Sequence, residues 1–160
     1  MTFQIMPLRY DDFAHLFDLS DAELALRNAR RQIVTSSPGT PCRVSLEDAA
    51  PGETVMLVNY LHQPGPGPFT ARHAIYVRRN AREACVAPGA VPRMIRSRLI
   101  SLRLFDADHM MIDADAVPGD DAAAAIRSAF ANSEVAYGHI HFARQGCFAA
   151  SVHPRREACG

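Results

Sequence analysis

Between residues 137 and 147 the chain reads Tyr-Gly-His-Ile-His-Phe-Ala-Arg-Gln-Gly-Cys, its densest run of groups able to do chemistry. Successive side chains of a strand point to opposite faces. Tyr137, His139 and His141 then share one face, while Ile140 and Phe142 take the other with Ala136. Two imidazoles side by side suit a transition metal, with His62, His73, Cys147 or an aspartate as the third ligand. The same residues offer a second chemistry. Cys147 would be a thiolate nucleophile, His139 or His141 its base, and Arg43 or Arg103 the neighbouring cation that lowers the thiol pKa. In a third arrangement the histidines are structural or ligand-contacting groups of a polar cleft, with neither metal nor nucleophile.

The turn between the two strands decides which face Cys147 takes. A three-residue loop, Arg144-Gln145-Gly146, sets Ala143 opposite Cys147, His141 opposite Ala149 and His139 opposite Ser151. Cys147 then joins the histidines. A two-residue loop, Arg144-Gln145, sends Cys147 to the core face instead. The first register is expected, because it gives Gly146 a positive φ to supply.

Four further groups bear on the site. His62 ends an apolar strand beside Pro64-Gly65-Pro66-Gly67-Pro68, and His73 opens the next strand across that loop. Asn59 on the same apolar strand must find hydrogen-bond partners. The pairs Asp106/Asp108 and Asp113/Asp115 are read as an Asx-type turn and a solvated strand face rather than as hard-cation ligands. Arg93, Arg96, Arg98 and Arg103 could contact phosphate, but a solvated helix face in a lysine-free protein accounts for most of them.

Regular elements must hold these groups in place. Ser20-Asp21-Ala22-Glu23 is a capping box and predicts a helix from Asp21 to Asn28. Residues 3–8 and Arg31 to Thr35 are expected to be strands, and Thr54 to His62, β-branched and almost wholly apolar, a central one. Strands are also expected over Arg72 to Arg79, Leu99 to Phe105 and Met110 to Val117, with helices at Arg93 to Arg98 and from Asp120 or Asp121 to Ala131. A hairpin of Val135 to Ala143 and Cys147 to Val152 closes the fold. Hairpin-length connections predict one α+β domain over residues 1–153, with a largely antiparallel or mixed sheet carrying two to three helices. Residues 154–160 are expected to be a frayed tail.

Composition narrows the function classes. The 160 residues carry 17 basic and 17 acidic side chains, and every basic one is arginine. That balance provides no global field toward nucleic acid or an anionic membrane. The all-arginine usage with alanine runs points to a GC-rich bacterial genome. There is no Walker loop, no G-x-G-x-x-G and no basic patch studded with aromatics, so neither a nucleotide cofactor nor nucleic acid is expected. Cys42, Cys85, Cys147 and Cys159 form no C-x-x-C pair. With no signal peptide and no spanning apolar run in view, the expected setting is the cytoplasm, away from membranes.

Several ordered blocks carry a resemblance. They are Pro41-Cys42-Arg43-Val44-Ser45-Leu46-Glu47-Asp48-Ala49, Asn59-Tyr60-x-His62-Gln63, Pro68-Phe69-x-x-x-His73-Ala74-Ile75-Tyr76-Val77-Arg78, Phe105-Asp106-Ala107-Asp108, Met111-x-Asp113-Ala114-Asp115 and His139-x-His141-x-Ala143-x-x-Gly146-Cys147. Across residues 2 to 152 the chain resembles the bacterial family catalogued as domain of unknown function 1203. The resemblance implies a small bacterial domain and lends no catalytic residue. It also marks two departures: Phe142 stands where the family often has Asn, and His109 where it often has Gly.

The expected function is small-molecule binding in a His-rich polar cleft; whether the chain is also an enzyme, metal-assisted or of the Cys/His kind, is left open. The cleft would comprise His139, His141, His62, His73 and Tyr137, flanked by Arg43, Arg103 and Cys147. The alternative is a non-catalytic interaction or dimerisation module, in which the same strand packs on a second copy.

Overall fold

The computed structural model describes residues 2–155. The chain forms an α+β fold of antiparallel strands in two sheets. Its elements are β1 (Thr2–Met6), α1 (Asp21–Leu26), β2 (Ala29–Ile33), β3 (Thr54–Gln63), β4 (Ala71–Arg78), α2 (Arg93–Arg96), β5 (Leu99–Phe105), β6 (Met111–Pro118), α3 (Ala122–Ala129), β7 (Tyr137–Phe142) and β8 (Phe148–Arg155). The described residues group into two compact units. One takes 2–6, 63–71 and 85–155, and the other 7–62 and 72–84. Gln63, the last residue of β3, groups with the first.

The first unit is built on a five-stranded sheet in the order β1-β8-β7-β5-β6. β5 shows why it forms. In Leu99-Ile-Ser-Leu-Arg-Leu-Phe the apolar Ile100, Leu102 and Leu104 alternate with Ser101 and Arg103, so one face is hydrophobic by period. Ile100 pairs with Phe142 and Leu102 with Ile140, and all four side chains are buried. Phe3, Ile5 and Val152 add to the buried set. Each such side chain stabilises the fold by roughly 1.5–3 kcal/mol relative to exposure. Helix α3 packs against β1, β5 and β6, with Ala122 and Ile126 buried. Ile140 and Phe142 therefore take the core face, as expected.

β8 runs further than the sequence suggests. Pro154 pairs with Phe3 and Arg155 with Thr2, so these two residues are strand rather than tail. β7 pairs with β8 only as far as Gly138 and Val152, which leaves Pro154 on a stretch with a single partner strand. There a missing N–H costs nothing. Residues 156–160, with Cys159, lie outside the described residues.

The second unit carries the three-stranded sheet β2-β3-β4, with β3 in the centre as expected. The Ser20 capping box is formed: Ser20 Oγ accepts from Glu23 N–H, and the Glu23 carboxylate accepts from Ser20 N–H. Helix α1 stops at Leu26, two residues short of the predicted end. Asn28, at φ 53, takes the left-handed conformation that ends helices, and β2 starts directly after it. Phe13, Leu24, Val44, Met56, Ile75 and Val77 belong to its core. Among the described residues, no helix is long and apolar enough to cross a membrane.

Candidate functional site

The face of the five-stranded sheet opposite the Ile140/Phe142 core is a grid of side chains fixed by register. Its central row is Ala114 (β6), Arg103 (β5), His139 (β7), Ser151 (β8) and Met6 (β1). On one side lies Ala116, Ser101, His141 and Phe148, and on the other Phe105, Tyr137 and His153. Directly opposed residues on a sheet have Cβ atoms about 4.5–5.5 Å apart, so the grid is tight.

Ring geometry confirms the shared face. The His139 ring lies 5.5 Å from Tyr137 and 6.1 Å from His141, centroid to centroid. Phe148 meets both imidazoles edge-on, at 5.1 Å from His139 and 5.8 Å from His141. Phe105 stacks on Tyr137 at 5.2 Å. His139 is 5% exposed and His141 is fully buried. A histidine cluster is thus present on β7, and it is interior.

His141 has a defined tautomer. Its Nδ1 lies 2.9 Å from the Gly146 carbonyl oxygen, which can only accept. Nδ1 must therefore carry the hydrogen, and Nε2 becomes the nitrogen that takes a proton or a metal. Metal-binding histidines are commonly oriented by such a bond from the other ring nitrogen to a backbone carbonyl.

Tyr137 centres a second network. Gln63 Nε2 donates to its hydroxyl at 2.8 Å, and His109 Nδ1 lies 2.8 Å from the same oxygen. With Gln63 donating into one lone pair, the phenol keeps its own proton for a further hydrogen bond. Burial pushes the Tyr137 phenol up, partly offset by the Gln63 hydrogen bond and reinforced by the nearby Asp106 charge. His153 stacks on the other part of the ring at 6.1 Å.

The hairpin register differs from the one expected. Phe142 N–H donates to the Cys147 carbonyl, and Gly146 N–H donates to the Phe142 carbonyl. The loop is therefore Ala143 to Gly146, with Gly146 at φ 75. A bulge between Ile140 and His141 makes Phe148, not Ala149, the partner of His141, while His139 faces Ser151 as predicted. Cys147 falls opposite Phe142 on the core side, is 7% exposed, and is separated from the imidazole row. The bulge lets the chain spend one extra residue, and that residue turns the thiol away from the histidines.

The remaining sequence candidates are placed as follows. Arg103 lies opposite His139, on the same face. Arg43, His62 and His73 belong to the second unit. Arg43 and His62 are buried there, and Arg43 Nη1 donates to the Pro41 carbonyl. His73 is partly buried, its Nδ1 3.3 Å from the Ala74 carbonyl. Asn59 finds its partner in Arg72, whose Nε donates to Asn59 Oδ1 at 2.7 Å. Asp106 makes the expected Asx turn, accepting from Asp108 and Met110 N–H.

Sequence reasoning missed Gln63, His109, Phe148 and His153. A signal existed for His109, which the resemblance marked as a departure in a turn. It adopts φ 64, in the left-handed region that favours glycine. Gly65 answers it: a Cβ there would sit 2.4 Å from His109 Cγ. No comparable pattern marks Gln63 or His153.

No curated protein and no solved structure matches the chain. The family model described as "Protein of unknown function (DUF1203)" matches residues 39–154, which include the whole of β7 and the turn after it, and the chain belongs to that family.

Proposed function

We propose that the protein binds a small molecule at the histidine face of the five-stranded sheet, through a transition metal ligated by His139 and His141. The observation that carries this reading is the His141–Gly146 hydrogen bond. It orients the ring and leaves Nε2 as the ligating nitrogen, beside a second buried imidazole 6.1 Å away. Two neutral imidazoles leave coordination positions for water or ligand, and such a metal acts as a Lewis acid toward what it binds.

The alternative of an interaction module needs the histidines at the rim of an exposed apolar patch. His139 and His141 are interior, which favours the ligand site. The protein is further proposed to work in a bacterial cytoplasm, where thiols such as Cys42 and the exposed Cys85 persist.

The test is elemental analysis of protein purified without a metal-affinity tag. Near-stoichiometric zinc, iron, nickel or copper is expected in the wild type and is expected to be lost from His139→Ala/His141→Ala. The same metal content in both proteins would sink the reading.

A further inference from the structure

Arg103 is the one cation in the grid, and its surroundings are unusual for a surface arginine. It sits in mid-strand on β5, facing His139 across one strand pair and Ala114 across the other. Among the described residues no carboxylate lies within ion-pair distance of it. Burial pushes its guanidinium below the usual arginine range, and no acidic neighbour counters that shift. Its polar contact is Ser101 Oγ, 3.5 Å from Nε on the same face of the same strand. A partly buried guanidinium with five donors and a single long contact retains most of its hydrogen-bonding capacity.

Position gives that capacity a direction. Along the central row, exposure falls from Ala114, which is exposed, through Arg103, which is intermediate, to His139, which is buried. Ala114 and Ala116, the β6 residues facing Arg103 and Ser101, are both small. A molecule reaching the imidazoles from the β6 side would pass the guanidinium first. The acids of β6 are turned elsewhere. Asp113 and Asp115 alternate with these alanines on the other face, and each accepts from the following residue's N–H. The approach past Arg103 therefore carries positive charge that the β6 acids do not face.

We propose that Arg103, assisted by Ser101, anchors the oxyanion group of a small carboxylate or phosphate compound whose other end reaches His139 and His141. The proposal rests on the ligand-site reading of those two histidines. A planar carboxylate can take two guanidinium donors in parallel, and a phosphate oxygen pair can do the same.

The test titrates acetate and inorganic phosphate separately into wild type, Arg103→Met and Arg103→Lys by calorimetry, at ionic strength matched with chloride. Metal content and thermal melting are measured on the same samples. Saturable binding of at least one anion is expected in the wild type, weakened tenfold or more in Arg103→Met. Arg103→Lys should keep part of the phosphate affinity as a point charge and lose most of the acetate affinity, which depends on the planar fork. Preference for acetate or for phosphate identifies the ligand class. Absence of binding by either anion in the wild type, or equal affinity in Arg103→Met, would overturn the proposal. Should Arg103→Met melt early, undiminished acetate affinity in Arg103→Lys overturns it instead. Metal content separates the two readings: a metal-free wild type that still loses anion affinity in Arg103→Met rejects the metal and retains the anchor.

Discussion

His141 donates from Nδ1 to the carbonyl of Gly146 at 2.9 Å, so the turn that closes the hairpin also fixes which nitrogen of the imidazole can act. The turn holds that carbonyl in place through a glycine at φ 75, a conformation that costs an L residue roughly 1–2 kcal/mol. A Cβ at Gly146 would meet no atom within 4 Å, so the cost is conformational and not steric. Gly146→Ala is expected to lower unfolding stability by about 1 kcal/mol in urea titration. Unchanged stability would show that the loop has another low-energy form.

Gly65 and Gly119 should respond very differently to the same substitution. At Gly119 a Cβ would lie 2.1 Å from the Ile95 carbonyl oxygen and 2.6 Å from those of Arg96 and Arg98, all backbone. Gly119→Ala should cost about 3 kcal/mol, since three carbonyls must move. At Gly65 the obstacle is the His109 ring, a side chain able to rotate away. Gly65→Ala should cost nearer 1 kcal/mol and break the His109–Tyr137 hydrogen bond. The imidazole resonances of His109 would report that loss, and their constancy would refute it.

Alkaline pH tests the Tyr137 environment. The folded state holds the phenol proton more tightly than the unfolded chain does, because burial disfavours the phenolate. The corresponding stability is fully present below the ordinary phenol pKa of about 10 and is lost as pH rises through the higher folded value. Tyr60 is raised as well, by burial and by Asp12, and adds a slope of the same sign. Tyr137→Phe should remove one high-pH phenolate transition and flatten, without abolishing, the alkaline fall in stability. Loss of a phenolate step near the ordinary value of about 10 would instead show that the Tyr137 phenol is not raised.

Thiol labelling followed by mass spectrometry tests the register. Cys85 is exposed and Cys147 is buried on the core side of the hairpin. Cys85 should label at least tenfold faster in the native protein, and the difference should vanish in denaturant. Rapid native labelling of Cys147 would restore the register in which the thiol joins the histidines.

β6 is the outer strand of its sheet, and an open edge invites pairing with another chain. Asp113 and Asp115 occupy the N–H groups of Ala114 and Ala116 at 2.8 and 2.7 Å, and bring charge to that edge. Asp113→Val/Asp115→Val is expected to self-associate at concentrations where the wild type does not, as read by sedimentation velocity. Identical profiles would mean that the edge is guarded by something other than these carboxylates.

Periodicity determined a good deal of this protein. The alternation in Leu99–Phe105 placed β5 correctly to the residue, and the Ser20 capping box placed the start of α1. Alternation likewise put Tyr137, His139 and His141 on one face and Ile140 and Phe142 in the core. Such features depend on neighbours within a few residues, which is the range a sequence pattern encodes. Where α1 ends and β2 begins was less legible, because Asn28 adopts a backbone conformation that its residue type permits but does not dictate. Tertiary structure alone decided the rest. The bulge beside His141 moved Cys147 to the opposite face, and a bulge is a compromise between two strands rather than a property of either. Strand order set Arg103 against His139, and the tertiary fold brought Gln63 to Tyr137. Both pairings join residues dozens of positions apart, and long-range register of that kind is fixed only when a buried face must be completed.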